Sequence, residues 1–355
     1  MKRKHILPIN AEPIILSMPF LAIQCGVFQA HDINHWLLNK FINIASNYDA
    51  RVRYQHLHND EWFEQEKVTD KHHMTLLLDM LELKSYSVME TIKEMVSNGY
   101  YLSGNSNVYY LKESHACRNL SYCPPYLIYG YDEDRELFFY AVGSTKNSRY
   151  EPYTIAFPEY IESIKNNHGL FHFKPNFVKL KSVTDSRFNL NFIRLNSGYN
   201  FKTNYSEIYN GIYDYLNSSN KSDGAVQSAS SLDRIYGLDC YRDFLHYITF
   251  TYDFHEYIEP FHYLVFLEHH QIMENRLKYL HEIGVVKNSQ LCGDYSKIRE
   301  KSEIVYENCK KYNTTHEFRL LGEIYTDVEE IIEEETAVLK DFLAELGVHI
   351  ETVYK

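Results

Sequence analysis

The 355-residue sequence has no CxxC pair; its six cysteines stand apart at 25, 117, 123, 240, 292 and 309. That scatter suits reduced thiols in a cytoplasm better than a disulfide framework, although Cys117 and Cys123 are close enough to close a small loop. Basic residues are in short supply. Thirty-six Lys and Arg against 48 Asp and Glu leave a formal net charge of −12, which argues against a broad nucleic-acid or anionic-membrane surface. No segment approaches the roughly 18 to 20 uninterrupted apolar residues that a membrane span needs. The basic start Lys2-Arg-Lys is followed by Pro8, Asn10, Glu12 and Pro13, which interrupt any signal-peptide core. Phosphate-cradling patterns (GxxxxGKS/T, GxGxxG) are missing, and so is a GxSxG elbow, which removes nucleotide-driven ligation and α/β-hydrolase chemistry. No HExxH and no internal repeat occur. No cofactor or metal is expected.

What is present points to a folded chain of two domains, with 45% hydrophobic residues and a length well above that at which a core becomes hard to build. The strongest strand signals are 126–131 and 136–142, β-branched and aromatic runs joined by the short acidic link Asp132-Glu-Asp-Arg135. They predict an antiparallel hairpin. Further strands are expected at 100–102, 108–111, 150–155 and 189–195, with an extended stretch over 6–15. Helices are expected at 20–29, 33–45, 75–83, 87–98, 158–166 and 205–216. Ser17 is a plausible cap for the first of these, Ser87-Val-Met-Glu90 reads as a capping box, and Gly99 as a stop. After a Ser/Asn/Gly-rich loop over 217–231, the pattern is helical almost throughout, in segments 233–250, 256–283, 292–312 and 316–345. The expected class is α+β, with an N-terminal domain over 1–200 and a mostly helical region over 201–355.

Chemistry-bearing residues are few. Cys25 falls inside the first predicted helix with apolar flanks, the setting of a core thiol; as a nucleophile it belongs at a helix N-terminus beside a base. A later helix start would let Gln24 serve an oxyanion hole. His115 is the histidine in the loop before the hairpin and the base that Cys25 would need. His255, His262 and His269 recur every seven residues, a spacing that would place them along one helical face, with Glu268 and His270 close by. They lack i, i+4 metal spacing and read as packed or interfacial. The run Glu329-Glu-Ile-Ile-Glu-Glu-Glu335 reads as a solvated helix face.

Leu127-Ile-Tyr-Gly-Tyr-Asp132 followed by Leu137-Phe-Phe-Tyr resembles the hairpin of bacterial proteins related to the N-terminal domain of butirosin-biosynthesis protein H. Ile6-Leu-Pro, Leu21-Ala-Ile23, Gly99-Tyr-Tyr, Tyr236-Gly-Leu-Asp239, Phe261-His-Tyr-Leu-Val-Phe-Leu-Glu-His-His270 and Arg276-Leu-Lys-Tyr-Leu280 agree in order, so the resemblance spans about 5–285. It implies a papain-like or transglutaminase-like domain and cysteine-dependent transfer of an acyl or aminoacyl group from a carrier-protein thioester to an amine in natural-product assembly. A histidine leading into the hairpin would activate the cysteine, and an Asp or Asn after the second strand would orient it. The sequence departs at each point: Pro124 stands for the histidine, Ser144 for the carboxylate, and Ser17-Met18 occupies the first helix start, with Cys25 displaced inward. A catalytically degenerate docking or scaffolding subunit for a peptide synthetase or an acyl- or peptidyl-carrier protein is the alternative. Self-association through the C-terminal helices is a further expectation.

Overall fold

A computed structural model describes residues 3–17, 19–31, 34–47, 54–56, 69–112, 123–144, 149–165, 187–195, 203–219 and 234–353. The chain forms two compact units, 1–32 with 62–199, and 33–61 with 200–355. The described residues 34–47 and 54–56, expected with the N-terminal domain, group with the C-terminal part. The fold is α+β, with an antiparallel sheet in the first unit and a helical second unit.

The sheet of the first unit is built on the predicted hairpin, β6 (Pro125–Asp132) and β7 (Leu137–Ser144). β8 (Arg149–Ala156) flanks β7. On the other side come β5 (Tyr101–Asn105), β9 (Arg187–Leu195) and β4 (Thr69–Leu77), in the order β4-β9-β5-β6-β7-β8. The short β1 (Lys4–Ile6) pairs with the far end of β6. β6 is buried on both faces, as befits a central strand. Its register against β7 shifts between Ile128 and Gly130. That bulge reverses the side-chain alternation, so Tyr126, Ile128 and then Tyr131 share one face while Leu127 and Tyr129 share the other. Gly130 sits where β1 crosses closely, and a Cβ there would lie 2.7 Å from the His5 carbonyl oxygen.

Helices cover both faces. α1 (Pro19–Ala30) presents Ala22, Ile23 and Val27 to Tyr101, Leu127, Tyr129 and Ala141. Opposite, α3 (Leu78–Ser97) contributes Val88, Ile92 and Val96, and α4 (Phe157–Lys165) contributes Tyr160, Ile161 and Ile164.

Several expectations change. The 75–83 apolar run begins in β4, held as a strand by nine consecutive pairings with β9, and α3 then runs through Ser87 without a start there. Residues Val108–Tyr110 form a 3-10 turn capped by the Asn107 side chain instead of a strand. Between 6 and 15, only β1 pairs; the rest crosses α1, where Asn10 N–H donates to the Gly26 carbonyl over 2.9 Å. Pro8 and Pro13 offer no N–H for a longer ladder.

In the second unit the expected 33–45 helix is short. α2 (Asn34–Asn39) stops before Phe41, whose φ of 56° is left-handed. The chain then enters β2 (Ile44–Asn47), the middle strand between β10 (Arg234–Tyr236) and β3 (Tyr54–His56). The helices are α5 (Tyr205–Leu216), α6 (Asp239–Phe254), α7 (Pro260–Glu282), α8 (Ser289–Thr315) and α9 (Phe318–Val353). Gly237 joins β10 to α6 at φ 55°, and a Cβ there would lie 2.1 Å from the Tyr215 carbonyl oxygen. Only glycine tolerates that approach.

Candidate functional site

The first place to look is α1, which carries Cys25. The helix is buried nearly all round, as a uniformly apolar helix must be. The sheet covers one side. The 7–16 segment covers another, packing Leu7, Ile9 and Leu16 into the same cluster and tying Asn10 and Ile14 to the Gln29 side chain. Cys25 is 0% exposed and stands in the middle of the helix, which begins at Pro19. The first-turn dipole that lowers thiol pKa values is therefore not aimed at it. An oxyanion role for Gln24 needs a helix starting later than this one does. His115, the proposed base, lies outside the described residues, and so does Cys117.

An imidazole does sit beside α1, just beyond its end. The Tyr101 hydroxyl donates to the Pro8 carbonyl at 2.6 Å, so its single proton is spent. The His31 Nε2 at 2.9 Å must then carry the proton and donate to Tyr101. Burial of the ring lowers the His31 pKa. Six residues separate His31 from Cys25, about 9 Å of helical rise, which places the two beyond direct hydrogen-bond reach.

The hairpin approach is structural. Pro124 is buried and accepts from Ser106 N–H at 3.4 Å. Burial pushes the neighbouring Cys123 thiol up to about 11. Ser106 hydrogen-bonds the Tyr140 hydroxyl, Tyr140 stacks on Tyr126 with centroids 5.2 Å apart, and the Tyr126 and Tyr160 hydroxyls meet at 2.6 Å. Burial also raises the thiol pKa values of Cys240, Cys292 and Cys309. Cys25, Cys123, Cys240, Cys292 and Cys309 are all free of disulfides. None of the four shifted thiols is primed as a thiolate.

The densest set of titratable groups lies in the second unit, in a place the sequence pattern did not advertise. Glu335 of α9 is 0% exposed. Its Oε2 accepts from the Tyr215 hydroxyl of α5 at 2.6 Å, and its Oε1 accepts from the Tyr295 hydroxyl of α8. From α7, His269 Nε2 and His270 Nε2 lie 3.5 Å from Oε1 and Oε2 respectively. The Tyr215 ring stacks on His269 with centroids 4.6 Å apart.

Proton counting orders the network. His270 Nδ1 has no hydrogen-bond partner, so the ring proton belongs on Nε2, where it is 3.0 Å from the Tyr241 hydroxyl of α6. The Tyr215 hydroxyl proton goes to Glu335. Burial pushes the Glu335 carboxyl up, but the imidazoles of His270 and His269 outweigh it and hold the group well below the usual carboxylate range. Burial and the nearby carboxylate push the pKa values of Tyr215, Tyr241 and Tyr295 far up.

Two expectations are corrected here. The 329–335 run is solvated at Glu329, Glu330, Glu333 and Glu334, but Glu335 is a core residue. Buried Ile324, Val328, Ile331, Glu335, Val338 and Phe342 recur at alternating steps of four and three, the seam spacing of packed helices. That spacing is the signal that singles Glu335 out. The three histidines spaced by seven do not share one helix: His255 caps α6 at φ 57° and is exposed, while His262 and His269 lie on α7.

Arg276 of α7, also 0% exposed, spends Nε on the Leu38 carbonyl at 2.7 Å and a terminal nitrogen on the Lys40 carbonyl at 2.8 Å. Burial lowers its pKa to about 10. It pins the end of α2 to the bundle and faces no ligand site. The described residues contain no group of His, Cys, Asp or Glu able to hold a metal ion, and no described helix is long and apolar enough to cross a membrane. The Glu335 cluster is thus enclosed in its unit, whereas His31 beyond the end of α1 is exposed. No family model matches the chain, and no curated protein matches it either.

Proposed function

We propose that the chain is a catalytically degenerate relative of papain-like acyltransferases, acting in the cytoplasm as a docking or scaffolding subunit for a peptide synthetase or an acyl- or peptidyl-carrier protein. The observation that carries this reading is the complete burial of Cys25 in the middle of α1. A thioester carbonyl has no path to a fully buried thiol. Proline at 124 supports it too, since an imino acid neither accepts nor delivers a proton. The carrier-protein partner is inferred from the resemblance of the hairpin and helix motifs to the butirosin-H group.

The second reading is an active transacylase in which Cys25 attacks the thioester and His115 serves as its base. What favours it is that α1 packs on the hairpin through Ala22, Ile23 and Val27, as the helix of a thiol enzyme does. Isothermal titration of the pure chain with a carrier protein of natural-product assembly separates the two readings, with Cys25→Ala run in parallel. Scaffolding predicts binding that Cys25→Ala leaves unchanged, with no amide product from an acyl-loaded carrier. Turnover lost in Cys25→Ala establishes the transacylase; absence of binding to any carrier protein or synthetase module counts against both.

A further inference from the structure

One end of the second unit exposes aromatic rings in a number that a solitary chain has no use for. Phe250, Tyr252 and Phe254 lie on the last turns of α6, Tyr257 follows in the loop, and Phe318 opens α9; each is 40 to 63% exposed. Phe250 and Phe254 rings stand 4.5 Å apart, and Phe318 meets Tyr252 at 5.6 Å and His255 at 4.9 Å. Residues 252–257 and 314–319 are exposed without a break, so the two loops form one end face. His255 and His316 both hold left-handed backbone, at φ 57° and 55°. Glycine is cheaper there, and the histidines instead add rings to this face.

The charges around the aromatics divide by side. Phe318 lies between the end of α6, through Tyr252, and the end of α8, through Tyr312 at 6.3 Å. The α6 flank carries Asp253 and Glu256; the α8 flank carries Lys310 and Lys311 alongside Glu307, and beside Phe318 the charges of Glu317 and Arg319 pair with each other. Asp253, Glu256 and Lys311 make no ion pair among the described residues, whereas Lys310 pairs with Glu307.

We propose that this end face is a self-association surface joining two copies of the chain about a twofold axis. A twofold contact is isologous, so the acidic flank of one copy meets the basic flank of the other and the rings meet across the axis. The area is sufficient. Aromatic side chains carry about 150–250 Å² each, so five rings half exposed supply about 500 Å² of the roughly 800 Å² per partner of a stable interface, and the polar flanks supply the remainder.

Sedimentation equilibrium of the full chain, from micromolar to millimolar concentration, tests this. The expected result is a reversible rise to twice the chain mass. Phe254→Glu weakens association at least about tenfold, while Val348→Glu, also exposed but near the far end of α9, leaves it unchanged. Asp253→Lys and Lys311→Glu each weaken it, and the double variant recovers affinity, which only an opposed pair across the axis produces. Circular dichroism checks folding, and the charge pair decides the matter if Phe254→Glu misfolds. A chain that stays monomeric throughout, or a dimer indifferent to both tests, overturns the proposal. So does a monomer whose carrier-protein binding Phe254→Glu abolishes, because the face then belongs to another partner.

Discussion

Replacing Glu335 tests the buried network most sharply. Glu335→Ala leaves the hydroxyls of Tyr215 and Tyr295 without their acceptor. Each orphaned donor costs about 1–3 kcal/mol, and losing one member of a buried charged network typically costs about 3–5 kcal/mol. We expect a loss of about 4 kcal/mol, a large share of the roughly 5–15 kcal/mol that holds a domain together. Glu335→Gln retains one acceptor oxygen and should cost about half as much. Urea unfolding followed by far-ultraviolet circular dichroism reports mainly on the helical second unit, and the midpoint should fall with the slope unchanged. A compensated variant, Glu335→Leu with Tyr215→Phe and Tyr295→Phe, removes donors and acceptor together and should recover most of the loss. A Glu335→Ala loss below about 1 kcal/mol, or a compensated variant no better than Glu335→Ala, refutes the idea that hydroxyl donors are what the carboxylate satisfies.

Acid should weaken the wild type in a defined window. The folded carboxyl of Glu335 is held well below its ordinary value, so the unfolded chain binds the extra proton as pH falls below about 4.5. Stability present above that pH then declines steadily with further acidification, and Glu335→Gln should show a shallower decline in unfolding midpoint. Gly237→Ala places a Cβ against the Tyr215 carbonyl on left-handed backbone and should destabilise by more than about 3 kcal/mol, seen as a lower urea midpoint or loss of soluble protein. Site-resolved alkylation of the native chain should label half-buried Cys292 well before buried Cys25, Cys123, Cys240 and Cys309, and denaturant should equalise them. Early labelling of Cys309 would show that α8 opens more readily than its packing implies.

The hairpin was legible because its two runs alternate apolar side chains and close through a short polar turn. Gly99 was legible as a helix stop and ends α3 at φ 86°, whereas the duties of Gly130, which lets β1 cross, and of Gly237, which passes the end of α5, come from the structure alone. The 69–77 strand was not legible. Thr75 to Leu77 fits helix and strand equally by pattern, and pairing with β9, more than a hundred residues away, decides it. The 44–47 strand was hidden for a related reason, since nothing local shows that Phe41 takes a left-handed turn. Glu335 was concealed among other glutamates; only the four-and-three spacing of its apolar neighbours distinguishes it. Cys25 was placed correctly inside a helix, yet its full burial rests on tertiary packing that no spacing rule reveals.

Intact-protein and peptide mass spectrometry after incubation with an acyl-loaded carrier protein goes straight to the question of chemistry. A scaffold with its thiol locked in the core should emerge at unchanged mass, with the Cys25 peptide unmodified. An acyl group found on Cys25 would mean that the thiol is reached and that the chain is an enzyme.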